Sequence, residues 1–201
     1  MKLFLTSIGL SNKKITDYFL KCLPKKTDNC SILIVDYVEN NEQKLYLEES
    51  KEQLFNLGVK KITDFNLTDK KFLDVKKAFD IIYVCGGNTY EILDRMRKTG
   101  IADYIKKQSR KKKIIYFGIS AGSIIAGPNI EIAGWGSEAD TNDIHLKDLE
   151  GLNLTKISTY PHFRKDLKKE VNDFRKVVSY PVIELSDGQA IFIEGDKYHT
   201  I

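Results

Sequence analysis

Proline and cysteine are scarce in this chain, and each scarcity removes a class of protein. Four prolines in 201 residues exclude a proline-rich spacer. The three cysteines, Cys22, Cys30 and Cys85, are odd in number and no two stand at a C-x-x-C spacing. Neither a disulfide framework nor a zinc site is expected, and the chemistry read below needs no metal or cofactor. Cysteines used so sparingly suit a reducing cytoplasm. Apolar runs are short. Residues 1–7 are too brief for a signal peptide, and nothing approaches the length of a membrane span. A dominant charge is missing too: 32 Lys and Arg against 28 Asp and Glu leave a net charge of +4, spread along the chain. No nucleic-acid or membrane partner is expected from that balance.

What is present is an apolar content of 42%, enough for one full core, so a single domain over residues 1–201 is expected. Near-continuous apolar runs at 3–8, 31–35 and 79–84, with another at 114–117, read as strands, and residues 59–67 carry a shorter one. Amphipathic stretches between them read as helices: 11–22, with Ser11 as N-cap, then 42–57, 68–78, 90–99 and 102–108. Strands of this kind alternating with helices indicate an α/β fold, a mostly parallel sheet with helices on both faces. After residue 127 the pattern changes. Residues 128–143 are rich in Gly, Ser and acids, without a period, and long for a loop. A strand at 154–159, a helix at 165–178 and a strand at 182–185 follow. Residues 190–194 and 197–201 read as a hairpin about Gly195-Asp196.

The chain is organised around Gly118-Ile119-Ser120-Ala121-Gly122. A serine between two glycines at a strand-to-helix turn is the nucleophile-elbow pattern. The turn is tight enough to strain the serine backbone, and glycines two places away avoid a clash. The hydroxyl is then exposed at the carboxyl edge of the sheet, where ligands gather in such folds. The same five residues also suit an ordinary turn with Ser120 as a helix N-cap.

A serine nucleophile needs a base, and the base needs an orienting carboxylate. Of the three histidines, His145 lies among acids and His199 near the last residue, whereas His162 ends a strand after Pro161. His162 ranks first. For the carboxylate, Asp187 sits in an Asp-Gly turn at a strand end, and Glu184 competes from within the strand. The bland reading of Asp187 is turn chemistry. Gly86-Gly87-Asn88-Thr89 follows another strand. Its backbone N–H groups, with that of Ala121, suit an oxyanion hole, while Asn88 or Thr89 also suits a helix cap. Cys85 reads as a small buried residue rather than a second nucleophile.

Cys85-Gly86-Gly87-Asn88-Thr89-Tyr90, the elbow, Pro161-His162-Phe163 and Leu185-Ser186-Asp187-Gly188-Gln189-Ala190 together resemble the peptidase E family of serine peptidases. That family holds aspartyl dipeptidases and cyanophycinases on a fold similar to class I glutamine amidotransferases. The resemblance implies a Ser120–His162–Asp187 triad, an oxyanion hole from Gly87 and Ala121, an acyl-enzyme, a small peptide substrate, and in many members a homodimer. The family's third triad member is a glutamate in peptidase E; here it falls on Asp187, one methylene shorter. The resemblance also implies an acidic residue after the elbow for the substrate's amine, for which Glu138 and Asp140 are available. Cleavage after an N-terminal aspartate requires a cation, for which Arg164 and Arg175 are available, and Asn88 is a further candidate contact. Rival readings on the same scaffold are an amidotransferase-like protein, which would want a cysteine at the elbow, and a non-catalytic binding protein.

Overall fold

The computed structural model describes residues 1–69, 71–72, 76–111 and 113–201, the side chain of Glu42 excepted. Its centre is a seven-stranded sheet. The strands are β1 (Lys2–Thr6), β2 (Ser31–Asp36), β3 (Lys61–Asn66), β4 (Ile81–Val84), β5 (Ile115–Ile119), β8 (Ala190–Glu194) and β9 (Lys197–Thr200). They lie in the order β3-β2-β4-β5-β1-β8-β9. The first five are parallel, and β8 and β9 close one edge antiparallel. Two further strands, β6 (Ser158–Tyr160) and β7 (Val182–Glu184), form a separate parallel pair. The α-helices among the described residues are α1 (Lys13–Cys22), α2 (Asn41–Asn56), α3 (Thr89–Thr99), α4 (Ile101–Ser109), α5 (Ala121–Ile125) and α6 (Lys168–Val177), the last packed on β7.

The central strands β1, β2, β4, β5 and β8 bury both faces, so their alternate side chains feed two cores. Leu3, Leu5, Leu33, Val35, Ile82, Val84 and Tyr116 share one core with α3, α4 and α5. Phe4, Ile32, Ile34, Ile81, Tyr83 and Phe117 meet α1 and α2. On that second face the registered neighbours Tyr83, Phe117 and Phe4 stack across β4, β5 and β1, with ring centroids 4.6 and 5.3 Å apart. Aromatic pairs of this kind add to simple area burial and pin the strand register.

Helix ends follow local chemistry. Asn12 caps α1, its Oδ1 accepting from the Ile15 N–H at 3.0 Å. The expected cap, Ser11, instead donates to the Asp187 carbonyl at 3.0 Å. Asn12 stands one residue nearer the helix and already has the extended backbone of a cap. Gly100, at φ +83° in the left-handed region, ends α3. The helix expected over 68–78 falls on a stretch where residues 70 and 73–75 lie outside those described. The long segment after the elbow carries a short 3-10 turn at Glu131–Gly134 and a bridge between Asn129 and Glu150. Among the described residues no helix is long and apolar enough to cross a membrane.

Candidate active site

Four chain segments converge at the carboxyl edge of the sheet. The first is the elbow after β5. Ser120 has φ 48° and ψ −113°, a conformation that L-residues rarely hold. Its backbone N–H is anchored on the Thr6 carbonyl at 3.0 Å. Both flanking glycines are required by contact with main chain rather than by preference. A Cβ on Gly118 would lie 2.7 Å from the Gly122 carbonyl oxygen, and one on Gly122 would lie 2.4 Å from that of Val84. Ala121 opens α5, so its N–H has no intrahelical partner.

The second segment follows β6. His162, at φ 54°, is held by a short ladder in which Leu185 N–H donates to Tyr160 O at 3.0 Å and Phe163 N–H to Leu185 O at 3.2 Å. The third is the turn after β7, which carries Asp187. Neither residue stands on the sheet that carries Ser120. They stand instead at the end of the separate β6-β7 pair. Strands of three residues are too short to reveal from periodicity which sheet they join, yet the pair delivers both residues to the elbow.

The resulting chain of contacts is continuous. Ser120 Oγ lies 2.9 Å from His162 Nε2, and His162 Nδ1 lies 2.9 Å from Asp187 Oδ1. Asp187 accepts only, so Nδ1 carries the proton in the neutral ring and Nε2 is left to accept from the Ser120 hydroxyl. A fourth residue, which sequence reasoning missed, braces this chain. Ser7, fully buried just past β1, donates to Asp187 Oδ1 at 2.6 Å and accepts from the His162 backbone N–H at 2.7 Å. Its only sequence signal was its place at the carboxyl end of β1, the strand paired with β5.

The other candidates fall elsewhere. His145 is exposed just after a turn, and His199 packs against Tyr18 and Phe192. Glu184 is committed to Lys168 and Arg175, both at 2.7 Å. Burial pushes its carboxyl up, but those two cations outweigh burial and hold it below its ordinary value. Burial drives the Cys85 thiol far above its ordinary value, so it is not a thiolate. Gly87, at φ +137°, turns behind β4 in a region open to glycine. Asn88 caps α3 through the Tyr90 and Glu91 N–H groups and ties Thr141 O at 2.8 Å.

Ser120 and His162 lie between two cavities. One of about 130 Å³ is lined by Glu138, Asp140, Trp135 and Tyr160. Asp140 Oδ2 accepts from the Thr89 N–H and hydroxyl at 2.9 and 2.5 Å. Arg164 pairs with Glu138 at 3.0 Å and Asp166 at 3.4 Å, and Arg175 is bound to Glu184 and the Val182 carbonyl. Neither arginine is uncommitted. The other cavity, about 770 Å³, is bounded by Gly86, Gly87, Ile119 and Asp36 among others. Asp36 ends β2. Burial, reinforced by Asp64 and opposed by Lys51, pushes its carboxyl up to about 7. The described residues hold no cluster of three or more His, Cys, Asp or Glu side chains suited to a metal ion.

Comparison with known proteins gives a consistent answer. The family model described as peptidase family S51 matches residues 3–201. An uncharacterized peptidase of Listeria monocytogenes, Lmo0363, is 29% identical over 170 residues, covering 79% of each chain. Peptidase E of Salmonella newport is 30% identical over 171 residues, covering 73% of this chain and 68% of its own. The crystal structure of a candidate peptidase E protein from Listeria monocytogenes EGD-e superposes with a TM-score of 0.81 at 26% identity, over 100% of this chain and 97% of that one. A peptidase from an acI-B1 actinobacterium, at 16% identity and a TM-score of 0.71, shares the fold.

Proposed function

This chain belongs to peptidase family S51 and is a serine peptidase; on that premise we propose that it cleaves small peptides through Ser120, His162 and Asp187. Ser120 Oγ attacks the scissile carbonyl carbon as His162 Nε2 takes the hydroxyl proton. Asp187 holds the ring in the Nδ1–H tautomer and offsets the positive charge that develops on it. The N–H groups of Gly87 and Ala121 receive the oxyanion. As the intermediate collapses, the C–N bond breaks and His162 returns the proton to the departing amine. Water, deprotonated by the same histidine, then releases the acyl group and restores Ser120. The observation that carries this reading is the unbroken Oγ–Nε2, Nδ1–Oδ1 chain of 2.9 Å contacts starting from a strained elbow serine.

The small acidic cavity beside Ser120 suits the free amine of a short peptide, with Glu138 and Asp140 on its wall. Substrates that begin with aspartate have less support, because Arg164 and Arg175 are each already paired with carboxylates. Three unpaired cysteines suit work in a reducing compartment such as the cytoplasm. The test is turnover of a dipeptide library by the wild type and by Ser120→Ala. Loss of the nucleophile is expected to lower kcat by on the order of 10⁴-fold or more. Hydrolysis by the variant at the wild-type rate would show that Ser120 is not the nucleophile.

A further inference from the structure

The larger cavity holds a group that acyl transfer does not use. Asp36 is 3% exposed, and neither carboxyl oxygen accepts a hydrogen bond from any described residue. A buried carboxylate without a donor is unfavourable in the empty protein. A ligand that brings a donor relieves that deficit.

The surroundings say which donor. Among the described residues lining the cavity are two acids, Asp36 and Glu49, and no lysine or arginine. Lys51 acts on Asp36 from nearby, but its ammonium is held by Asp64 at 2.7 Å and Glu48 at 3.2 Å. Apolar wall is supplied by Ile8, Val38, Leu47 and Ile119. An aliphatic stem with a cationic end matches both features. The reach matches as well. Val35 pairs with Val84 and Val84 with Gly118. Asp36 and Ser120 therefore lie two strand spacings apart across the sheet, about 10 Å. That is the span of an extended lysyl or arginyl side chain, with its hydrogen bond, whose backbone sits at Ser120.

We propose that this cavity is a specificity pocket for a lysine or arginine side chain of the peptide substrate, with Asp36 as its counter-ion. The proposal rests on the reading of Ser120 as a peptidase nucleophile. An aspartate side chain entering the same pocket would meet two carboxylates and no uncommitted cation.

The test compares dipeptides carrying Lys, Arg, norleucine or Asp at the first or second position, with alanine at the other. A Lys or Arg substrate is expected to exceed its norleucine counterpart at least tenfold in kcat/KM at one of the two positions. In Asp36→Asn, confirmed as folded by its thermal transition, that ratio is expected to fall towards one. Norleucine or Asp substrates cleaved as fast as Lys by the wild type would overturn the pocket and leave the peptidase reading standing. Should no peptide be cleaved, the peptidase reading is the one that fails, and binding decides the pocket. Calorimetry on Ser120→Ala should then show Lys-Ala bound at least tenfold more tightly than norleucyl-alanine. The double variant Ser120→Ala/Asp36→Asn should show no such difference. Equal binding of the two dipeptides to Ser120→Ala, or no binding of either, overturns the pocket.

Discussion

Replacing Asp36 by asparagine keeps the shape of a buried side chain and removes its charge, so its effect on stability should depend on pH in a calculable way. The folded protein holds this carboxyl at about 7, against 3.8 for a free aspartate. Below pH 4 the residue is protonated both folded and unfolded, and contributes no difference. Between 4 and 7 the unfolded chain ionises while the folded one retains its proton, so wild-type stability falls as pH rises. Above 7 the penalty is complete. At about 1.4 kcal/mol per pH unit its ceiling is about 4 kcal/mol. Asp64 and Asp69 add to that penalty and Lys51 offsets part of it, and the value of about 7 already contains all three. Asp36→Asn is therefore expected to be more stable than the wild type by about 2–4 kcal/mol at pH 8, and close to it at pH 4. Urea unfolding at the two pH values, with equal m-values, measures the difference. A variant equal to or weaker than the wild type at pH 8 would refute the reasoning, since it would mean that the carboxylate is already satisfied in the fold.

Two further substitutions probe how the site is held. Ser7→Ala removes the 2.6 Å bond to Asp187 and the acceptor for the His162 backbone N–H. Because only the alignment of the base suffers, kcat should fall by on the order of 10²-fold with KM little changed. An unchanged kcat in steady-state kinetics would remove Ser7 from the account. Gly122→Ala would place a methyl 2.4 Å from the Val84 carbonyl oxygen, on the strand that leads to Gly86-Gly87. Destabilisation of at least about 1–3 kcal/mol is expected, read by thermal or urea unfolding, and a wild-type transition would contradict the packing described.

The sheet was legible because its central strands are buried on both faces. Runs such as Ile32–Val35 and Ile81–Val84 are apolar throughout and are bounded by Ser31 and Asp36 or by Asp80 and Cys85-Gly86. The elbow was legible because its glycines are forced by backbone contact at Gly118 and Gly122, so a steric demand is written directly as residue type. His162 and Asp187 were found as polar residues at strand ends, but the sheet they belong to was not, since β6 and β7 are three residues each and pair only with one another. Ser7 and Asp36 also stand at strand ends. Nothing local distinguishes a serine that braces a histidine, or an aspartate left without a donor, from any other polar residue at that edge. Their character arises from pairings across β1-β5 and β2-β4-β5 that link distant parts of the chain. The segment after the elbow carried no period because it is held by side-chain ties, Asn88 to Thr141 and Thr89 to Asp140, rather than by repeating backbone structure.

The central claim is that Ser120 is a nucleophile activated by His162. Its most direct test is reaction with a fluorophosphonate probe, followed by mass spectrometry of the digested protein. The account predicts a single adduct on the peptide containing Ser120, absent in Ser120→Ala and formed far more slowly in His162→Ala. An unlabelled Ser120 in the folded wild type, or labelling as fast in His162→Ala as in the wild type, would contradict it.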